Sequence, residues 1–180
     1  MTKRAVIACI SAIMILPGAA SIAVADTFTY ELNGNYAESN GGPSLVPYGG
    51  TLGPDGYTFG VQQGLSLSGT GIFDVYSIDI RFYFDDINAS PDGYQRILEF
   101  KNLASDTGLY ERGGTLLFFV RGNPTGAQSD VPNFASGVPA DLLLTRSAAG
   151  LLSAYVDGTL AFTFSDPTGL ATFSGPDNII

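Results

Sequence analysis

The stretch Leu98-Glu99-Phe100-Lys101-Asn102-Leu103-Ala104-Ser105-Asp106-Thr107-Gly108-Leu109-Tyr110 decides how this chain is read. Residues 96–101 predict a strand, 102–107 a polar turn, and a second strand starts at Gly108. Just before it, Tyr76-Ser77-Ile78-Asp79-Ile80-Arg81-Phe82-Tyr83-Phe84-Asp85-Asp86 alternates strictly. Tyr76, Ile78, Ile80, Phe82 and Phe84 share one face; Ser77, Asp79, Arg81, Tyr83 and Asp85 share the other. The apolar face must meet a second sheet, and the opposite face is wet or lines a cleft.

The same grammar extends outward in both directions. Residues 95–101 carry Leu98 and Phe100 on one face, with Ile97 flanking the pattern. Strands at 109–111 and 115–120 flank a tight Arg112-Gly113-Gly114 turn. A meander follows at 141–146, 151–156 and 159–164. Its last hairpin turns at Asp157-Gly158, because a type I′ turn needs positive φ at both central residues. Leu160, Phe162 and Phe164 are expected on one face there. Upstream, 27–32 reads as a first strand, 33–56 as a long Gly-, Pro- and Ser-rich loop, and 57–61 and 65–67 as short strands. Residues 121–140 form a second polar loop. No helical stripe, internal repeat or domain linker interrupts this, so the chain reads as one all-β domain, an antiparallel β-sandwich of jelly-roll type. Nearly every Phe is expected in its core, where each contributes roughly 1.5–3 kcal/mol.

The N-terminus has a different grammar. Lys3 and Arg4 precede an apolar run at 5–16, then Pro17-Gly18, then Ala23-Val24-Ala25, which fits the small-x-small rule for signal-peptide cleavage. The apolar run is shorter than the ~18–20 residues a bilayer span needs. Residues 1–25 therefore read as a secretory leader and 26–180 as the mature domain, with no membrane span after cleavage. Cys9, the one cysteine, lies inside the leader. Without Lys3 and Arg4 the remaining 155 residues hold six basic side chains against 17 acids, a net charge of −11. Such a chain repels phosphate backbones, so nucleic acid is a poor partner.

Histidine is absent from the sequence. That excludes Ser-His-Asp and Cys-His nucleophilic sites and His-based zinc or iron centres. A metal site here must be built from oxygens, which means Ca²⁺ or Mg²⁺.

The chain resembles the laminin-G-like, concanavalin A-type domains of secreted bacterial proteins that often carry a PEP-CTERM sorting tail. The resemblance runs over about 27–180. It is carried by Asn40-Gly41-Gly42-Pro43, Gly64-Leu65-Ser66-Leu67, Tyr76-Ser77-Ile78 and Phe82-Tyr83-Phe84-Asp85-Asp86. It continues through Arg96-Ile97-Leu98-Glu99-Phe100-Lys101-Asn102, Ser105-Asp106-Thr107-Gly108-Leu109-Tyr110, Leu144-Thr145-Arg146, Tyr155-Val156-Asp157-Gly158 and Asn178-Ile179-Ile180. In such proteins Asn-Ile-Ile leads into an Asp-containing loop and a last strand of Val-Asp-Tyr-Ile-Arg-Ile type, which closes a sheet near the first strand. Here the sequence stops at Ile180, without that strand, a Pro-Glu-Pro motif or a basic tail. The expectation is an unpaired edge beside 27–32.

The fold so implied hosts glycosidases and sugar-binding modules alike. β-Glucanases of this fold place catalytic carboxylates in Glu-x-Asp-x-x-Glu or Glu-x-Asp-x-Glu on one strand. Here the corresponding strand is Ser77-Ile78-Asp79-Ile80-Arg81, with Ser and Arg where Glu is required, and no catalytic residue is assigned. Asp79 and Arg81 are expected as a same-face ion pair or a solvated surface. Laminin-G-like domains often hold Ca²⁺ at a loop rim through two Asp side chains, which implies Asp106 and Asp86 as ligands. The segment 86–93 superficially resembles an EF-hand loop but has Pro91 where Gly is needed and Ile97 where the bidentate Glu belongs. Sugar sites pair an aromatic platform with Asp, Asn and backbone donors; Tyr36, Tyr48 and Tyr94 with Asn40 and Asn123 are the residues that fit, in a chain without tryptophan. The reading is a secreted, non-catalytic binding module for polysaccharide or a surface protein. A glycoside hydrolase or lyase and a purely structural extracellular protein are the alternatives.

Overall fold

The structure is a computed structural model that describes residues 3–5, 10–11, 27–90, 92–122, 126–173 and 177–179. The leader reading lies outside the described residues except for 3–5 and 10–11. The described residues form strands, turns and loops, with no helix. In chain order the strands are β1 (Lys3–Ala5), β2 (Ile10–Ser11), β3 (Thr27–Phe28), β4 (Val46–Tyr48), β5 (Thr51–Gly53), β6 (Gly56–Phe59), β7 (Gly64–Ser68) and β8 (Tyr76–Tyr83). There follow β9 (Tyr94–Glu99), β10 (Thr107–Arg112), β11 (Thr115–Val120), β12 (Ala127–Gln128), β13 (Ala140–Arg146), β14 (Leu151–Val156), β15 (Thr159–Ser165) and β16 (Asp177–Ile179).

These strands make two seven-stranded antiparallel sheets. The first runs β15-β14-β13-β8-β1-β6-β5 and the second β12-β11-β10-β9-β16-β7-β4, while β2 and β3 pair with each other. No helix among the described residues is long and apolar enough to cross a membrane.

Alternation at 76–83 becomes burial as expected: Tyr76, Ile78, Ile80 and Phe82 are buried, and Asp79 and Arg81 are exposed. On β13 Leu142 and Leu144 sit in register with Ile80 and Ile78, widening the apolar face. The two sheets meet through aromatic rings. Tyr76 of β8 lies 6.4 Å from Phe100, and Phe118 of β11 lies 5.1 Å from Phe164 of β15. Phe173, from the C-terminal loop, packs on both Tyr76 and Phe100. Burial of these side chains in one shared core is the main favourable term.

Several expectations need correction. Residues 27–32 do not form one strand: only Thr27–Phe28 pairs, with β2. Glu38 explains why the ladder stops. Its carboxylate accepts from the Thr29 amide at 2.9 Å, the Asn40 amide at 2.7 Å and the Gly42 amide at 2.9 Å, so Thr29 spends its donor on a side chain. Those bonds hold the Glu38 carboxyl below its ordinary value. Tyr30 and Leu32 are buried even so, and the Tyr30 hydroxyl donates to Pro43 O. The long loop at 33–56 contains two short strands, β4 and β5.

Arg81 pairs across the sheet with Asp141 at 3.1 Å rather than with Asp79, because Asp141 is its register partner. Asp79 sits opposite Leu143, and partial loss of its hydration on the sheet surface, followed by the nearby Asp141 charge, raises its carboxyl. On β15 the ladder slips by one residue at Ala161, so Leu160 is exposed while Phe162 is buried. Strict alternation fails at that bulge. The Asp157-Gly158 turn has φ of 49° and 75°, as a type I′ hairpin requires.

Candidate functional site

The strand–turn–strand stretch that opened the sequence reading also builds the most developed surface feature. On β9 Arg96 is opposite Tyr110, and Leu98 is opposite Leu109, so Ile97 is an extra residue in a β-bulge. Without the bulge Arg96 and Glu99 would lie on opposite faces. The added residue brings them together, and Arg96 Nε lies 3.4 Å from Glu99 Oε2. Gly108 is the register partner of Glu99, and the backbones come close there: a Cβ on Gly108 would collide with Leu98 O. Only glycine fits, which is the physical content of the Thr107-Gly108-Leu109 sequence.

Arg96 organises what surrounds it. Its Nε donates to the Tyr110 hydroxyl at 2.7 Å, and a terminal nitrogen donates to Asp106 Oδ1 at 3.0 Å. The Tyr110 hydroxyl also donates to Asp106. Burial and the Asp106 bond push the Tyr110 phenol above its ordinary value, so it stays a donor. Tyr94, Tyr110 and Phe119 form an aromatic trio with centroids 5.5–6.1 Å apart, and Arg112 lies 4.8 Å above the Tyr94 ring.

Glu99 is the odd member. Its side chain is wholly buried. Oε1 accepts from the Lys101 amide at 2.9 Å, while Oε2 has the Arg96 ion-pair contact but no hydrogen bond among the described residues. Burial raises its carboxyl, opposed by the Lys101 amide and by Arg96. Gln95 Oε1 is likewise buried without a hydrogen-bond partner among the described residues, although its Nε2 donates to Asp86 O and to Glu111, each at 2.9 Å.

Beside this cluster lies a groove of about 800 Å³ between β7 and β9. Strand β16 pairs with β7 at Ser66–Ser68 and with β9 at Glu99. Beyond that bridge, Gly64 and Leu65 on one side and Tyr94, Gln95, Arg96 and Ile97 on the other line the groove. Tyr48 of β4, Val61 and Leu103 line it as well, and they are 73%, 79% and 61% exposed. Among the described residues, three of the five non-glycine residues with positive φ, Gln62, Asn102 and Leu103, also line it. Bulky Leu103 at φ 59° is strained, and strain of this kind collects at functional sites.

Tyr48 and Tyr94, two residues singled out from sequence, thus come together in one groove. Tyr36 does not join them; it is half-buried, edge-on to Tyr57 at 6.0 Å. Asn40 stands in the Glu38 turn, where its own amide groups bond Glu38. Asn123 lies outside the described residues. Asp86 and Asp106 serve different tasks: Asp86 Oδ1 accepts from the Asn88 amide in a turn, and Asp106 binds Arg96 and Tyr110. Among the described residues no three His, Cys, Asp or Glu side chains group as a metal site. Sequence reasoning missed Gln63, Gln95, Arg96 and Leu103. The bulge at Ile97, a residue the sequence reading set beside the Leu98 and Phe100 pattern, shows only in the register.

No protein-family model matches the chain, and comparison with the curated proteins and with solved structures gives no match either.

Proposed function

We propose that the protein is a secreted, non-catalytic carbohydrate-binding module of the laminin-G-like, concanavalin A-type jelly-roll class, and that it binds polysaccharide in the groove between β7 and β9. One observation carries this: exposed Tyr48 and half-buried Tyr94 share a groove with the polar residues Gln63 and Arg96. Aromatic faces supply the apolar contact for sugar rings, and amide and guanidinium groups supply orienting hydrogen bonds.

A soluble-polysaccharide panel, titrated calorimetrically against the whole chain, tests the reading. It predicts saturable binding of at least one neutral polysaccharide, weakened at least tenfold by Tyr48→Ala with the melting temperature unchanged. Binding indifferent to Tyr48→Ala would remove the groove from the account. The same titration with and without millimolar Ca²⁺ examines Asp86 and Asp106 as ligands.

The second reading, a glycoside hydrolase, has one observation in its favour: the Glu99 carboxyl is held up by burial, as a general acid requires. Against it, Asp106 already accepts from Arg96 and Tyr110 and is not free to attack or to activate water. A turnover assay on β-glucans decides, and the binding-module reading predicts no product.

A further inference from the structure

Strand β1 is hydrogen-bonded on both edges in the first sheet. Lys3, Arg4 and Ala5 are in register with Phe59, Thr58 and Tyr57 of β6, and Arg4 and Ala5 with Tyr83 and Phe82 of β8. Strands β6 and β8 meet only through it, since their other neighbours are β5 and β13. Yet these three residues belong to the segment whose sequence reads as a cleavable leader. We propose that removal of residues 1–25 opens a strand-wide slot between β6 and β8, and that this slot takes up an extended basic segment of another polypeptide by main-chain pairing. The proposal rests on the secreted reading of the chain, though not on sugar binding; the groove reaches the end of β6 at Phe59 but its tyrosines, Tyr48 and Tyr94, stand in the other sheet.

Three observations support it. First, the slot is central and apolar. Tyr57 and Phe82, which flank Ala5 in register, are 0% and 6% exposed, so vacating it leaves facing backbone N–H and C=O groups with no partner. Such groups are costly when unpaired. Two neighbouring strands stand about 4.7–4.9 Å apart, so a gap of two spacings admits one strand. Second, the slot is shaped independently of its occupant. The Tyr57 hydroxyl donates to Gly64 O at 2.9 Å and to Gly49 O, which ties β6 to the ends of β4 and β7. The β8 edge is held by the full β13 ladder, from Ala140 to Arg146. Third, charge selects the occupant. Two of the three residues seated in the slot are basic, and the rest of the chain carries −11. An acidic body attracts a basic strand and repels an acidic one. The register position of Ala5, between two buried aromatic residues, calls for an apolar side chain. The mode is strand addition, with hydrogen bonds on both edges instead of one.

The test uses the whole chain with a site-specific protease sequence inserted between Ala25 and Asp26 and cut after folding. Hydrogen exchange is followed at 57–59 and 82–83, with 109–111 and 116–118 as controls. On dilution the 1–25 piece is expected to leave. Protection at 57–59 and 82–83 should then fall at least tenfold while the controls hold, and a synthetic peptide of residues 2–7 should restore it. The same peptide carrying Lys3→Glu and Arg4→Glu should not. Unchanged protection after the piece has left would overturn the slot, and restoration by the acidic peptide would overturn the charge assignment. Self-association of the cut chain without peptide would make a second copy the occupant and overturn a basic partner. If cutting unfolds the whole chain, refolding driven by the basic peptide supports the proposal, and failure to refold counts against it. Because polysaccharide binding is read separately through Tyr48→Ala, loss of either reading leaves the other standing.

Discussion

Arg146 and Asp166 form a buried ion pair in which both carboxylate oxygens have hydrogen-bond donors, whereas Glu99, equally buried beside Arg96, leaves Oε2 without one among the described residues. Asp166 Oδ1 accepts from the Leu170 amide at 2.6 Å; Oδ2 accepts from Arg146 Nε at 3.0 Å and the Ala171 amide at 2.9 Å. Arg146 also bonds Asp74 O and Asp166 O, which anchors the C-terminal loop to the first sheet. The Tyr76 hydroxyl donates to Ala171 O at 2.7 Å and completes the anchor. The first cluster is finished. In the second, Arg96 lines the groove while Glu99 stays buried behind it. A satisfied buried charge serves architecture; one left short of a donor is a place where burial and function pull apart.

The largest effect should come from breaking the finished cluster. Arg146→Ala leaves Asp166 buried without its cation, at a cost of about 3–5 kcal/mol. For a chain of this size that is a fall in Tm on the order of 10 °C by calorimetry. A loss below 2 °C would mean that the backbone amides alone satisfy Asp166.

Next in size is Gly108→Ala. Its Cβ would meet Leu98 O, and the bulge that joins Arg96 to Glu99 must shift. We expect destabilisation of about 1–3 kcal/mol in chemical denaturation together with weaker polysaccharide binding. Unchanged binding would separate the groove from the bulge.

The pH dependence sharpens the contrast further. Folded Glu99 holds its proton more tightly than the unfolded chain does. Its share of stability is therefore greatest in acid and falls as pH rises from the ordinary glutamate range through the raised folded value. Glu38 runs the other way: its lowered carboxyl contributes stability above the ordinary range, lost as pH falls through the folded value. In Tm-against-pH profiles, Glu99→Gln should remove a downward slope, and Glu38→Gln an upward one. Profiles that superimpose on the parent would contradict both assignments.

The smallest effect is at Leu103→Gly. It relieves positive φ at an exposed position and should add up to about 1 kcal/mol in denaturant, while weakening polysaccharide binding several-fold. Gain without loss of binding would make the strain incidental.

The strands of this fold were largely legible because alternation and turn chemistry are local. The 76–83 strand, the Arg112-Gly113-Gly114 turn and the Asp157-Gly158 hairpin all follow from neighbouring residues. What sequence reading missed depends on register. Arg81 pairs with Asp141 and Arg146 with Asp166, 60 and 20 residues away. The Ile97 and Ala161 bulges re-aim side chains that simple alternation assigns to other faces. The groove was half legible: Tyr48 and Tyr94 stood out as loop aromatics, but Arg96, Gln95 and Leu103 gain meaning only through the β9 bulge. The Glu38 turn misled the reading at 27–32, since a side chain replaces the ladder that the strand pattern promised.

The central claim is that the groove between β7 and β9 is the binding surface. Amide hydrogen exchange of the whole chain, with and without a saturating polysaccharide from the panel, tests it most directly. The account predicts new protection at 64–66 and 94–97, with 141–146 and 151–156 unchanged. Protection confined to the first sheet, or absent from both sides of the groove, would contradict it.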